Sequence, residues 1–382
     1  SMYAIFPYGG AKTHFPSATL LFPTTSFGDK YVLLSAWGGK GDTFGRGMLR
    51  GADTATTQFG KPTIQIVAIE DETTLELLPR VDIVGGPGVA ASSRGQVASY
   101  RLKRGDVLQL TQENELVGSV MESNKPVGVF AGSSGLNVPS DVRAADQEND
   151  QIPPVSAWGH EYAVVPAPNR ASLLSQGREK ERDPSVIRIV GAADGTELVY
   201  EPAAPKEAPR RLGAGELATF FAEQPFVVRS QDSDHPFFVA AYMTGAAASS
   251  YEVGDPELAL AVATDQWLDT YGFFSDFTYD SSSVFVTRRK VSGVFRDVTL
   301  DCAGVLTGWR SITDDYEWTY AELTRRGESQ MYPAGECTDG AHRIHSEGPF
   351  SITVWGMSRA ASYAYPGGMG LRRITEVNVP VR

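Results

Sequence analysis

Hydrophobic and polar positions alternate along many short runs of this chain. Ile64-Gln-Ile-Val-Ala-Ile69, Val186-Ile-Arg-Ile-Val190 and Val284-Phe-Val-Thr287 are examples, and Gly, Asp, Asn and Pro punctuate the intervals between such runs. Successive side chains of a strand point to opposite faces, so this period of two predicts half-buried strands. No segment sustains a capped 3.6-residue period; only Ala246–Ala248 and Leu258–Ala263 could form a helical turn. The pattern predicts an all-β protein.

Three signatures recur in the same order. The first is an aromatic residue followed four positions later by Tyr: Phe27 and Tyr31, Trp158 and Tyr162, Trp267 and Tyr271. The second is a hairpin. Ile64–Ile69 returns as Thr74–Leu78, Val186–Val190 returns through Asp194-Gly195 as Thr196–Tyr200, and Val284–Thr287 returns past Ser292-Gly293 as Asp297–Asp301. Asp-Gly is a strong hairpin signal, because Gly accepts the positive φ of a type I′ turn. The third is a strand, a polar turn ending in Pro, and an apolar strand, with the prolines at Pro126, Pro236 and Pro349.

Three ordered copies predict three tandem, related β-sandwich-like domains: residues 1–145, 146–252 and 253–382, with joins near 140–150 and 250–258. The competing layout is a six-bladed β-propeller-like ring with two blades per copy. Sandwiches would hold three separate cores, and a propeller one closed ring. With three β-domains in a row, a pocket would lie at their interfaces, around Asp146–Asp150 and Asp255–Glu257. The repeated Trp158 and Trp267 are expected to be buried against Phe237–Val239 and Ile352–Val354.

Composition narrows the function classes. A hydrophobic share of 42% is enough for a sizeable core. The 46 acidic against 34 basic residues give a net charge of −12, the opposite of a nucleic-acid binder's basic footprint. No apolar run approaches the ~20 residues of a membrane helix, so no membrane insertion is expected. The opening Ser1-Met2 reads as the remnant of a removed tag. Cys302 and Cys337 are the two cysteines. They are compatible with one disulfide in an oxidising compartment or with two buried thiols, and are too few for a four-ligand zinc site.

Catalytic motifs are missing: there is no HExxH, no Walker A and no strand-linked G-x-G-x-x-G. Ala131-Gly-Ser-Ser-Gly-Leu136 lacks the nucleophile-elbow spacing and reads as a polar turn after a strand. The five histidines, His14, His160, His235, His342 and His345, are scattered, and a strand would place His342 and His345 on opposite faces. Neither a catalytic residue nor a histidine-based metal site is expected. The acidic stretch Asp141–Gln151, with Asp146, Glu148 and Asp150, offers oxygen ligands at short intervals. Calcium is the one cofactor this would suit, but the EF-hand spacing is absent, and the stretch reads as a solvated inter-domain linker. In the aromatic cluster from Trp267 to Tyr279, the repeated Trp and Tyr suggest packing. Phe277 and Tyr279 are not repeated, so they join Asp146, Glu148 and Asp150 as candidates for a ligand-binding surface. Val81–Ser93 reads as a long Gly-rich hairpin loop.

Several stretches together carry a family resemblance: Lys125-Pro-Val-Gly-Val-Phe-Ala-Gly132, Gln151-Ile-Pro-Pro-Val-Ser-Ala-Trp-Gly159, Pro225-Phe-Val-Val-Arg-Ser230, Leu300-Asp-Cys-Ala-Gly304, and Thr353-Val-Trp-Gly356 with Ser362-Tyr-Ala-Tyr-Pro-Gly367. From about Leu20 to Gly367 the chain resembles the N-terminal domain family of the IgGFc-binding protein, in its bacterial branch. Members are usually large secreted or surface proteins; the resemblance does not imply antibody binding. One departure is Ala145-Asp146-Gln147, where members often carry Cys-Asp-His. The resemblance favours a Cys302–Cys337 disulfide within the third copy. It also implies a non-enzymatic binding or adhesion module, secreted or on the cell surface, for an extracellular protein or glycan. Two alternatives remain. One is a carbohydrate-active hydrolase using Asp314 and Asp315, or Glu148 and Asp150. The other is a purely structural spacer of a larger surface protein.

Overall fold

The computed structural model describes residues 4–8, 10–11, 16–38, 60–140, 145–170, 183–246 and 253–381. His14, residues 141–144 of the acidic stretch and Ala247–Ala248 lie outside them. The architecture is all-β, as the alternation predicts. Its strands pair antiparallel throughout, in sheets of up to seven and ten strands.

One pairing scheme is built three times around a spine. In the first sheet the spine is Val120–Asn137. Its first half pairs with Gly28–Val32 and Thr73–Leu78, and its second half with Pro62–Ala68 and Ala145–Ile152. In the ten-stranded sheet the spine is Gly340–Ser358. Leu268–Ser275 and Val298–Leu300 pair with its first half, Ser281–Arg289 and Ala361–Pro366 with its second. Between these, the spine is split in two. Phe226–Arg229 pairs with Glu161–Val164 and Val199–Glu201, and Phe237–Met243 pairs with Ser185–Gly191 and Glu257–Leu260.

The predicted hairpins need correction. Pro62–Ala68 and Thr73–Leu78 do not pair with each other; each lies against a different half of the spine. Alternation identifies a strand's faces but not its partner, and here the chain crosses between halves at the turn. The polar turns ending in Pro also change character. In the first and third sheets they are bulges inside a continuous strand: Gly28 faces Val127 while Lys30 faces Glu122, and Leu268 faces Phe350 while Thr270 faces His345. Ala131–Leu136 is likewise a bulge within the spine, not a turn after it; the register shifts between Ser133 and Leu136. Around Ser292-Gly293, both with positive φ, Val291 and Val294 form a tight bridge, but Ser281–Arg289 and Val298–Leu300 on either side each pair with the spine and not with each other. Val81–Ser93 is a small hairpin held by Ile83–Ser92 and Gly86–Val89 bridges.

Each repeat encloses its own apolar core, centred on Ile64, Leu77 and Val129 in the first, Ile187, Phe220 and Val228 in the second, and Val284, Leu323 and Ile352 in the third. Two further clusters cross between repeats. One joins Leu34 and Leu136 to Val186, Phe238 and Tyr242. The other joins Val227 and Ala259 to Phe285, Trp318 and Trp355. Burying apolar area on both kinds of surface holds the sheets to one another as well as closed on themselves. Trp158 is buried and stacks on Phe238 at 5.2 Å, as expected. Trp267 is buried too, with its ring edge-on to Tyr316. Cys302 and Cys337 are bonded, with Cα atoms 5.0 Å apart.

Candidate functional site

The strand Ala145–Ile152 is polar along almost its whole length, yet it pairs with the second half of the first spine on both sides of the Ser133–Leu136 bulge. Its period of two places Asp146, Glu148 and Asp150 on one face. That face is covered. Ser17–Leu21 and Glu257–Leu260 pack against the strand, and Ala361–Pro366 packs against both of those in turn. Glu257, and Asp255 just ahead of its strand, add two more acids. None of the five carboxylates is more than 7% exposed.

Few donors reach them. Ser17 Oγ donates to Glu257 Oε1 at 2.8 Å, and the Gln147 amide to Asp146 Oδ1 at 2.7 Å. The Thr19 hydroxyl sits beside Asp150. The Leu258 amide is directed at Glu148 and favours its charged form, but it falls outside hydrogen-bond geometry. Both Glu148 oxygens, Asp146 Oδ2, Asp255 Oδ1 and Glu257 Oε2 therefore have no hydrogen-bond partner. Ser362 anchors the neighbouring backbone, exchanging bonds of 3.0 Å with the Asp255 amide and carbonyl. Among the described residues, one cation bears on the group. The fully buried Arg170 guanidinium favours the charged form of Asp255, while its own nitrogens bond Asp183, the Thr244 hydroxyl and the Thr244 and Val253 carbonyls.

Burial is the first cause acting on every acid here. It raises Asp146, Glu148, Asp255 and Glu257 well above the usual carboxylate range, and their mutual repulsion adds to the rise at Asp146, Glu148 and Glu257. Burial pushes Asp150 up to about 8. An arrangement of this kind can hold protons or a hard cation.

The sequence-derived candidates divide. Asp146, Glu148 and Asp150 are not on a solvated linker; strand pairing on one edge and two covering strands on the face remove them from water. Tyr279 is not a surface residue either, being 3% exposed. Its ring lies edge-on to Tyr363 at 4.7 Å, and its hydroxyl is raised by burial first and then by the charge of Glu257. It thus borders the same cluster. Phe277 is exposed at 77%, as expected. Ser17, Ser362 and Arg170 carry no signal in sequence, because each is brought in by a distant strand or loop.

A second feature is a groove of about 520 Å³ where the second repeat meets the third. His160, Arg229, Arg289 and Lys290 line it, together with Glu161, Asp315 and Tyr316. Glu161 is tied down by the Tyr316 hydroxyl at 2.7 Å and by Arg229 at 3.2 Å. The other basic groups are held loosely: Lys290 lies 3.8 Å from Asp315, and Arg289 and the His160 imidazole each lie 3.9 Å from Asp265. A third group, Asp301 with His342 and Cys302, has the spacing of a metal site, but the Cys302 sulfur is already bonded to Cys337.

No curated protein and no solved structure matches this chain. The family model described as IgGFc binding protein matches residues 17–356. That span includes three of the four strands that enclose the carboxylates. The chain therefore belongs to the IgGFc binding protein family.

Proposed function

We propose that this chain is an extracellular, non-enzymatic binding module, secreted or displayed at the cell surface, that recognises a protein or glycan through an acidic group on its partner. Membership in a family named for a binding protein supports the first half of this reading. The observation that carries the second half is the groove at His160, Arg289 and Lys290. On a chain of net charge −12, two loosely paired cations, Arg289 and Lys290, converge with the His160 imidazole beside a tethered carboxylate. A carboxylate or sulfate entering there would gain charge-assisted hydrogen bonds and displace only weak, solvent-screened pairs. The hydrolase alternative gains nothing from Glu148 and Asp150, which no substrate can reach through the covering strands.

The test is a glycan array and an envelope-protein pull-down, run with the wild-type chain and with an Arg289→Ala/Lys290→Ala double variant. The expected result is a ligand whose binding weakens at high salt and is lost in the variant. Undiminished binding by the variant would remove the groove from the reading. Turnover of a glycoside panel by the wild type would replace the reading altogether.

A further inference from the structure

We infer that the enclosed carboxylates form a calcium site at the meeting point of Ser17–Leu21, Ala145–Ile152, Glu257–Leu260 and Ala361–Pro366, where one ion would fasten the three repeats together. This does not rest on the proposed ligand groove, and its test needs no partner.

The first support is the set of orphaned oxygens. Glu148 is 1% exposed and neither of its carboxylate oxygens has a hydrogen-bond partner. Buried polar groups are normally satisfied, and an exception calls for an unplaced proton, water or ion. The second is chemistry. The side chains gathered with the carboxylates are the hydroxyls of Ser17, Thr19 and Ser362. Among the described residues there is no imidazole or sulfur in this set, which matches a hard oxygen-seeking cation and not zinc or copper. The third is charge. Among the described residues, five carboxylates face one guanidinium, and Arg170 is already shared with Asp183. A divalent ion offsets the excess where solvent cannot.

The fourth concerns ion size. With the side chains as placed, no three of these carboxylates bring oxygens within 4.8 Å of one another. An ion must draw them in by rotating Glu148 and Glu257 and complete its shell with hydroxyl or backbone oxygens. Calcium accepts six to eight ligands in a flexible geometry; magnesium requires a tight octahedron and sheds water reluctantly. The site should therefore prefer calcium.

The experiment is thermal unfolding and isothermal titration of chelator-treated protein at pH 7.5, with calcium and then magnesium as the added ion. The variants are Glu148→Gln and Glu257→Gln, and Glu122→Gln on the exposed face is the control. Calcium should raise the melting temperature saturably, by several degrees and more than magnesium does. The response should be intact in Glu122→Gln and at least tenfold weaker in affinity in the other two. Terbium soaked into the chelated protein should show luminescence sensitised by Tyr279, and calcium should quench it. No saturable calcium effect on the folded wild type would overturn the inference. So would an effect that survives in both Glu148→Gln and Glu257→Gln. So would a chelated protein that loses stability as pH rises and is not rescued by calcium, because that protein holds protons there instead.

Discussion

The hydroxyl of Tyr162 donates a hydrogen bond to the carbonyl of Phe237, 2.7 Å away and 75 residues later in the chain. The same oxygen accepts from the Gly159 amide at 3.2 Å. Tyr31 does the same between the Gly28 amide and the Val127 carbonyl, and Tyr271 between the Leu268 amide and the Phe350 carbonyl. In each repeat one phenol ties the start of the Tyr strand to the spine. The four-residue spacing follows, because the amide just after the aromatic must fall beside the hydroxyl of the next Tyr. Tyr162→Phe keeps the ring and orphans a buried amide and a buried carbonyl. It should cost about 1–3 kcal/mol. Urea denaturation would read this, and an unchanged midpoint would mean the bond is incidental.

Trp158 completes the motif. Its indole donates to the Pro153 carbonyl and its ring stacks on Phe238. Trp267 makes the matching bond to Val262, also five residues back. Trp158→Ala should destabilise the chain by about 3–5 kcal/mol, while Phe277→Ala, which empties no cavity, should change stability by less than about 0.5 kcal/mol. Comparable losses from both substitutions would contradict this account of the core.

These aromatic spacings were legible in sequence because they are local and used three times. The strand pairings were less so. Ile64–Ile69 and Thr74–Leu78 display their faces through alternation, but nothing in them says that both partner the spine and not each other. The acidic strand is hard to recognise for a further reason. Asp146, Glu148 and Asp150 look like solvated linker residues, and only the arrival of Ser17–Leu21 and Glu257–Leu260 makes them buried. Tyr279 reads as a surface residue because it is not repeated; Tyr363, 84 positions on, covers it. The groove brings the adjacent Arg289 and Lys290 of the third repeat to His160 and Arg229 of the second, and no local spacing links the two sets.

The disulfide closes a separation of 35 residues between the loop after Val298–Leu300 and the short strand Gly335–Cys337. Loop-closure entropy predicts a loss of about 3–4 kcal/mol on its removal. Cys302→Ser/Cys337→Ser should lower the melting temperature, and dithiothreitol should lower that of the wild type but not of the double variant. If reductant acts equally on both proteins, the bridge is not its target.

Gly132 marks the closest approach in the first sheet. A Cβ built there would lie 1.7 Å from the Glu148 carbonyl oxygen and 2.9 Å from the Asn149 Cα. These are backbone atoms of the paired strand, so no side-chain rotation can make room. Gly132→Ala should push Ala145–Ile152 off the spine and destabilise the chain by at least about 1–3 kcal/mol. Amide exchange should speed up in that strand before the rest of the sheet. Wild-type protection at those amides would show that the strands tolerate the added methyl.

The carboxylate cluster makes the pH dependence of folding run against the usual direction for acids. Burial pushes Asp150 up from 3.8 to about 8, with the Thr19 hydroxyl pulling the other way. The unfolded chain releases this proton near its ordinary value, and the folded chain holds it until about pH 8. The folded state therefore binds more protons through this window, and stability falls as pH rises. The contribution is fully present below pH 3.8 and is lost by the time the folded carboxyl ionises near 8. Asp146, Glu148, Asp255 and Glu257 are raised as well and act with the same sign, while Arg170 opposes the rise at Asp255 and Ser17 opposes it at Glu257. In chelator, Asp150→Asn should leave stability near pH 4 almost unchanged and make the chain more stable than wild type at pH 8. Each pKa unit held in the folded state is worth about 1.4 kcal/mol of that difference. Urea midpoints from pH 4 to 8 would measure it. Parallel curves for the two proteins would mean that Asp150 is ionised in the folded chain. Added calcium should flatten the wild-type curve, because an ion that neutralises the ionised cluster removes the reason for stability to fall.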